Sequence, residues 1–150
     1  TQIRLVKLRT GIVLSNDGGA FAEFRKPVRF GIAGILGHGR QVISWIHIDD
    51  ICRQYLFAIE NKMVSGVYNS VAPHPVSNKE LTLTLARKSK GNFYIPINVP
   101  NFVLKIMLGS RTVEILKSTT VSTAKMHRLG FTFLYPSIEA AITQLLQNGK

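Results

Sequence analysis

The chain has 150 residues, 45% of them hydrophobic, and a formal net charge of +11. That length suits one ordinary domain able to bury about 70% of its unfolded surface, and no apolar run approaches the roughly 18 residues of a membrane span. The 19 basic groups are scattered in ones and twos, without the clustered stripe of a nucleic-acid footprint, so neither nucleic acid nor membrane is an expected partner.

One cysteine, Cys52, precludes an internal disulfide. Its place in an apolar helix predicts a buried thiol. The opening "TQIRLVKLRTG" carries no secretion signal and no initiating Met, which leads us to expect a start inside a longer, cytoplasmic protein.

In chain order, Ile3, Leu5 and Leu8 alternate along a first buried strand, which emerges into a turn at "SNDGG". Residues 19–41 read as glycine-rich and irregular, with one helical turn at "AFAEF". They contain G-I-A-G-I-L-G at Gly31, Gly34 and Gly37, the spelling of a dinucleotide-binding turn. The chemistry needs a strand before that turn and a helix N-terminus after it. Here "FRKPVRF" precedes it and the strand-like "VISWIHI" follows, so the expectation is a flexible loop.

Asp49 and Asp50 then start a helix whose apolar face is predicted at Cys52, Tyr55, Leu56 and Ile59. One aspartate should cap that helix, and His47 should be a hydrogen-bonded core histidine. "GVYNSV" is the next strand. In "VSNKEL", Ser77 and Glu80 form a capping box flanked by Val76 and Leu81, and the helix runs to about Lys88. "FYIPINVP" is extended, "NFVLKIML" and "RTVEILKS" are short helices, and "VSTAKMHRLGF" is a capped helix closed by Gly130. A last helix follows Pro136, with Ile138, Ala141, Ile142, Leu145 and Leu146 on one face.

The chemistry is sparse. His38, His47, His74 and His127 have no metal-ligand spacing. Tyr55, Tyr68, Tyr94 and Tyr135 are followed four positions later by Ile59, Ala72, Asn98 and Glu139, so no Tyr-x-x-x-Lys pair exists. Neither G-x-S-x-G nor a Walker lysine occurs. The residues alone point to no catalytic group and no metal.

"LRTGIVLSNDGGA", "GILGHGRQVISWIHIDDI" and "GVYNSVAPHPVSNKEL", in that order, resemble a branch of the extended short-chain dehydrogenase/reductases. These are the NAD-dependent epimerase/dehydratase-like proteins. The stretch from "IPINVPNFVLKIMLG" to "LGFTFLYPSIEAAITQLL" is similar to the small domain of unknown function that ends them. The resemblance covers essentially the whole chain and corresponds to the C-terminal half of such a protein. It implies an α/β fold: outer strands of a Rossmann-type parallel sheet plus a small, mainly helical, substrate-side lobe. Residues 1–75 would belong to the cofactor domain, with a substrate-side insertion at about 15–48, and residues 76–150 to the small domain. The segments 3–8 and 67–70 would be neighbouring parallel strands.

The same resemblance implies NADP or NAD in the full-length protein, with Arg9, Thr10, Gly11 and Val13 lining the cofactor. Gly11 reads equally as a plain turn glycine. Arg40, slightly earlier than the family's phosphate-gripping arginine, would meet a nucleotide-sugar-like substrate with Gln41 and Trp45 beside it. The true glycine fingerprint would lie upstream, so the chain alone should bind neither cofactor tightly and be inactive. The branch lacks the usual Tyr/Lys pair, which leaves a non-catalytic dinucleotide-binding or sensing protein as the alternative, and a small basic interaction domain as a third reading. The apolar first strand should make the isolated chain self-associate or pair with the rest of its protein.

Overall fold

The computed structural model describes residues 3–100, 118 and 120–149. The first half contains β1 (Val6–Thr10), β2 (Ile12–Leu14), α1 (Gly19–Arg29), β3 (Ile32–Leu36), β4 (Val42–Ile43), β5 (Trp45–His47) and α2 (Ile48–Glu60). It continues with β6 (Gly66–Ser70), β7 (Val76–Ser77), α3 (Asn78–Lys90), β8 (Ile95–Val99), α4 (Ala124–Arg128) and α5 (Ile138–Gln147). The helices expected at "NFVLKIML" and "RTVEILKS" lie outside the described residues, Ser118 apart.

The chain is α/β with parallel pairing, as the resemblance implies. β1 pairs with β6 from Val6↔Gly66 to Thr10↔Ser70, so the expected parallel neighbours are adjacent. β2 pairs with β5 and β3 with β8, both parallel, while β4 and β7 are antiparallel. Parallel neighbours need a long crossover, and the stretch containing α1 and α2 supplies it between β1 and β6. The strand is displaced from its expected position, however. It begins at Val6, and Ile3 and Leu5 stand outside it, 88% and 62% exposed.

Residues 19–41 are ordered differently from the expectation of an irregular segment. Phe21, Phe24 and Val28 recur at helical spacing and bury one face of α1. Pro27 sits in its last turn, and the helix closes with three-residue bonds from Phe30 N to Pro27 O and Gly31 N to Val28 O. The glycine motif is β3 itself, neither a phosphate turn nor a flexible loop. Gly31 (φ 76) turns out of α1, Gly34 lies within the strand against β8, and Gly37 (φ 56) turns out of it.

α2 is also rotated from its expected register. Asp50, Ile51, Gln54 and Ala58 are its buried residues, while Tyr55, Leu56 and Ile59 are 50%, 56% and 68% exposed. Cys52 is exposed too, which overturns the buried-thiol expectation. The cap is His47, whose Nδ1 accepts the Asp49 N–H at 3.1 Å, rather than an aspartate.

α3 and α5 form as expected. Ser77 Oγ accepts the Glu80 N–H at 3.1 Å and Ser137 Oγ accepts the Ala140 N–H at 3.3 Å. Gly130 (φ 86) follows α4, whose start is held by the Ala124 N–H donating to Ser122 Oγ. One core joins Leu14, Phe21, Trp45, Leu81, Leu85 and Ile142. A second joins Ile46, Ile51, Tyr68, Met126 and Phe131 beneath α2. Each large side chain fully buried this way contributes about 1.5–3 kcal/mol.

Candidate functional site

The carboxyl ends of parallel strands are where open α/β sheets bind ligands. Here β1 ends at Thr10, opposite Ser70, and Gly11 follows. The Gly11 N–H donates to Ser70 O at 3.1 Å, and one residue on, Ile12 N–H donates to Ser44 O at 2.9 Å. The strand thus trades β6 for β5 at this glycine. Ala72 N–H, just beyond β6, closes the junction by donating to Trp45 O at 2.6 Å.

Gly11 has no positive φ, so it is not a turn glycine. Its requirement is space. A Cβ there would collide with the Ser44 carbonyl oxygen and stand 2.8 Å from Val71 Cγ1. Around it, Arg9 and Thr10 are exposed and Val13 packs partly buried against the second core. Asn69, opposite Arg9, donates to Ser122 O at 2.9 Å. The Ser70 hydroxyl is buried and has no hydrogen-bond partner among the described residues.

The substrate-side residues expected from the resemblance have different surroundings from one another. Arg40 is exposed, on a loop fixed at both sides. Lys79 N–H and Asn78 N–H, the first amides of α3, donate to Gly39 O at 3.0 Å and Gln41 O at 2.9 Å. Gln41 is buried, with Nε2 donating to Leu36 O at 2.9 Å. Trp45 is fully buried in the first core, and its indole N–H donates to His74 O at 3.0 Å. Ser118 and Val121 bond to residues at and beside β4: Val42 N–H donates to Ser118 Oγ and Val121 N–H to Ser44 Oγ.

Asn78 is the anchor that sequence reasoning overlooked. Its buried Oδ1 accepts the Leu36 N–H at 2.8 Å, which joins the end of β3 to the start of α3. The capping box beside it was legible, but nothing local shows that the next side chain reaches back 42 residues.

His47 is a core residue, as expected. It is fully buried, with Nε2 at 2.8 Å from Gln144 Oε1 and its ring 4.1 Å from that of Tyr135. Since Nδ1 accepts from Asp49 N–H, Nε2 carries the proton and donates to Gln144. The 3.6 Å approach of Nδ1 to the Asp49 carboxylate is therefore not a charged pair in this arrangement. Asp50 binds backbone N–H groups, but those of a distant segment: Leu134 N–H at 2.8 Å and Tyr135 N–H at 2.9 Å.

Two clefts lie away from the Gly11 junction. One of about 350 Å³ is lined by Arg53, Leu56 and Phe131, and one of about 490 Å³ by Lys88, Tyr135 and Gln144. None of the expected site residues lines either. Among the described residues, no group of three or more His, Cys, Asp or Glu could hold a metal ion, and no helix is long and apolar enough to cross a membrane.

Known proteins match this chain over nearly its whole length. It is 38% identical over 146 residues to the epimerase family protein SERP0438 of Staphylococcus epidermidis, covering 96% of this chain and 48% of that protein. The human epimerase family protein SDR39U1 (isoform 2), solved with NADPH, superposes with a TM-score of 0.88 at 32% identity, over 97% of this chain and 49% of the other. The nucleoside-diphosphate sugar epimerase of Corynebacterium glutamicum gives a TM-score of 0.71 at 30% identity, over 95% and 26%. Residues 99–145 match a domain of unknown function, DUF1731. These matches support an epimerase-like family. The chain spans about half the length of the curated relatives it matches.

Proposed function

We propose that this chain is the C-terminal portion of an NAD(P)-dependent nucleotide-sugar epimerase/dehydratase-like protein. In this reading residues 1–75 supply the outer sheet strands of the cofactor domain, with residues 15–48 inserted on the substrate side, and residues 76–150 form the closing lobe. The observation that carries it is the 0.88 TM-score, over 97% of the chain, to a relative solved with NADPH.

Within that reading, Arg9, Thr10, Gly11 and Val13 border the cofactor, largely through backbone. Gly11 lets three segments converge there without a side chain between them. Arg40 offers a guanidinium to substrate phosphates, a bidentate donor for such oxygens. Gln41 and Trp45 act from behind it, holding the loop and strand that carry the arginine. The helix N-terminus that would hold the pyrophosphate belongs to the part of the relatives this chain does not span.

A non-catalytic dinucleotide-binding or sensing protein is the second reading. The absence of any Tyr-x-x-x-Lys pair favours it over an enzyme whose acid–base groups lie in these residues. A fusion of this chain to the N-terminal half of the S. epidermidis relative tests both. Calorimetric titration with NADPH and NADH should show saturable binding by the fusion and none by the chain alone. A silent fusion that is folded overturns the proposal. Binding by the chain alone, abolished by Gly34→Val, would restore the glycine motif as a phosphate site. Binding without turnover of any nucleotide-sugar would favour the sensor.

A further inference from the structure

α1 and α3 pack on each other and on β3, and both end at the same rim, beside the N-terminal ends of β3 and β8. Gly31, just past α1, accepts the Ile95 N–H on its carbonyl at 2.8 Å. The Phe93 carbonyl oxygen, just past α3, stands 3.6 Å from where a Gly31 Cβ would be. Each helix leaves a phenylalanine in water at this rim: Phe30 is 84% exposed and Phe93 88%. Ile95 and Ile97, opposite Ile32 and Gly34, continue the exposed apolar surface along β8.

The same rim is basic. The last turn of α1 carries Lys26 and Arg29, and that of α3 carries Arg87, Lys88 and Lys90, all of them exposed. Lys26 is matched by Glu23 at 2.6 Å, and Lys88 borders the cleft that also holds Glu139. Among the described residues Arg29, Arg87 and Lys90 form no ion pair. Neither 24–36 nor 81–99 contains a carboxylate. Cations at a helix C-terminus favour its dipole, which accounts for the charge of each helix but not for the exposed rings that follow. Along the sequence these cations are dispersed, and the pairing of β3 with β8 gathers them around one apolar patch.

We propose that this rim docks on the surface of an anionic lipid bilayer. Phe30, Phe93, Ile95 and Ile97 enter the headgroup boundary while the cations hold acidic headgroups around them, and a reversible surface contact combines these two terms. The chemistry favours a bilayer over other partners. A single-stranded nucleic acid uses rings as stacking platforms but gains nothing from two isoleucines. A chain adding a strand to β8 meets Pro96: odd-numbered β8 residues face β3, so the outward position belongs to a residue with no N–H. A second copy of this chain sets like charges against each other. The contact needs no membrane-crossing helix. It lies at the end of β3 opposite the loop that carries Arg40, so it goes beyond the epimerase-like reading and does not depend on it.

The test is sedimentation of the chain with vesicles of phosphatidylcholine alone and of phosphatidylcholine mixed equally with phosphatidylserine. The chain should pellet with the mixed vesicles and stay in solution with the neutral ones. Phe30→Ser with Phe93→Ser should lower partitioning about 10-fold or more. Arg29→Gln with Lys90→Gln should lower it about 5-fold for each charge removed. Lys7→Gln with Lys62→Gln removes the same charge at exposed positions elsewhere and should change binding less than about 2-fold. All these positions are exposed, and circular dichroism confirms that each variant is folded. No pelleting with the mixed vesicles, equal losses in the two charge variants, or binding that survives removal of both rings would overturn the proposal. So would binding to a single-stranded oligonucleotide without binding to vesicles, which assigns the rim to nucleic acid. A dimer that is lost with the two rings, again without vesicle binding, would assign it to a second copy and overturn the proposal equally.

Discussion

The fully buried carboxylate of Asp50 accepts the backbone N–H of Tyr135 at 2.9 Å, fastening the start of α2 to the segment that leads into α5. Its other oxygen accepts Leu134 N–H at 2.8 Å and Arg53 Nη1 at 3.1 Å. Three donors around one carboxylate are what makes its burial tolerable, because an unpaired buried charge is costly.

Asp50→Ala removes the acceptor for two backbone N–H groups and one partner of the part-exposed Arg53 guanidinium, which keeps Thr132 O and stands 5.3 Å from the centroid of the Phe131 ring. Each buried N–H left without an acceptor costs about 1–3 kcal/mol, so the two together should lower the unfolding free energy by about 2–5 kcal/mol in urea titrations. Asp50→Asn keeps one acceptor oxygen and should cost less, about 1–3 kcal/mol. Equal stability of the alanine variant and the parent would mean that these bonds contribute nothing net.

Two glycines with the same apparent status in the sequence should answer differently to alanine. At Gly11 the new methyl group meets the Ser44 carbonyl and Val71, both held in a strand junction, and the cost should be about 1–3 kcal/mol. At Gly34 it would sit 3.5 Å from Val99 Cγ2, an ordinary contact, within a strand where glycine is itself unfavourable. Gly34→Ala should therefore be neutral or stabilising by about 0.5 kcal/mol. Thermal melts of the two single variants check the contrast, and the reverse order would contradict the packing described at Gly11.

Ser77→Ala deletes the side-chain acceptor for the Glu80 N–H at the start of α3. About 1 kcal/mol should be lost. Ser77→Asp, which keeps an acceptor and places a negative charge at the positive end of the helix, should recover most of it. Chemical denaturation of the three proteins, read at constant m-value, gives the comparison.

Several features of this protein are determined by residues close together in the chain. The α3 cap needs only Ser77 and the amide three positions on, and the buried face of α5 follows from Ile138, Ala141, Ile142 and Leu145 at helical spacing. The parallel partnership of β1 and β6 was also legible, though through a family resemblance and not through anything in either strand alone. Even α1 carried its signal in Phe21, Phe24 and Val28, obscured by Pro27 and the flanking glycines.

Tertiary structure alone decided the rest. α2 buries Asp50 and Gln54 and exposes Tyr55, Leu56 and Ile59, the reverse of what hydrophobicity predicts. For Asp50 the reason is that the partners that satisfy its carboxylate stand 84 and 85 residues away at Leu134 and Tyr135, and no local pattern encodes their approach. Gly31, Gly34 and Gly37 spell a phosphate turn but form a strand and its two ends, because β8 arrives to pair with them. Gly11 is required for what crosses it, the Ser44 carbonyl and Val71, and not for its own backbone angle. Short-range rules describe the groups a residue carries, whereas burial of a polar group, or of an empty Cβ position, depends on which distant backbone is brought against it.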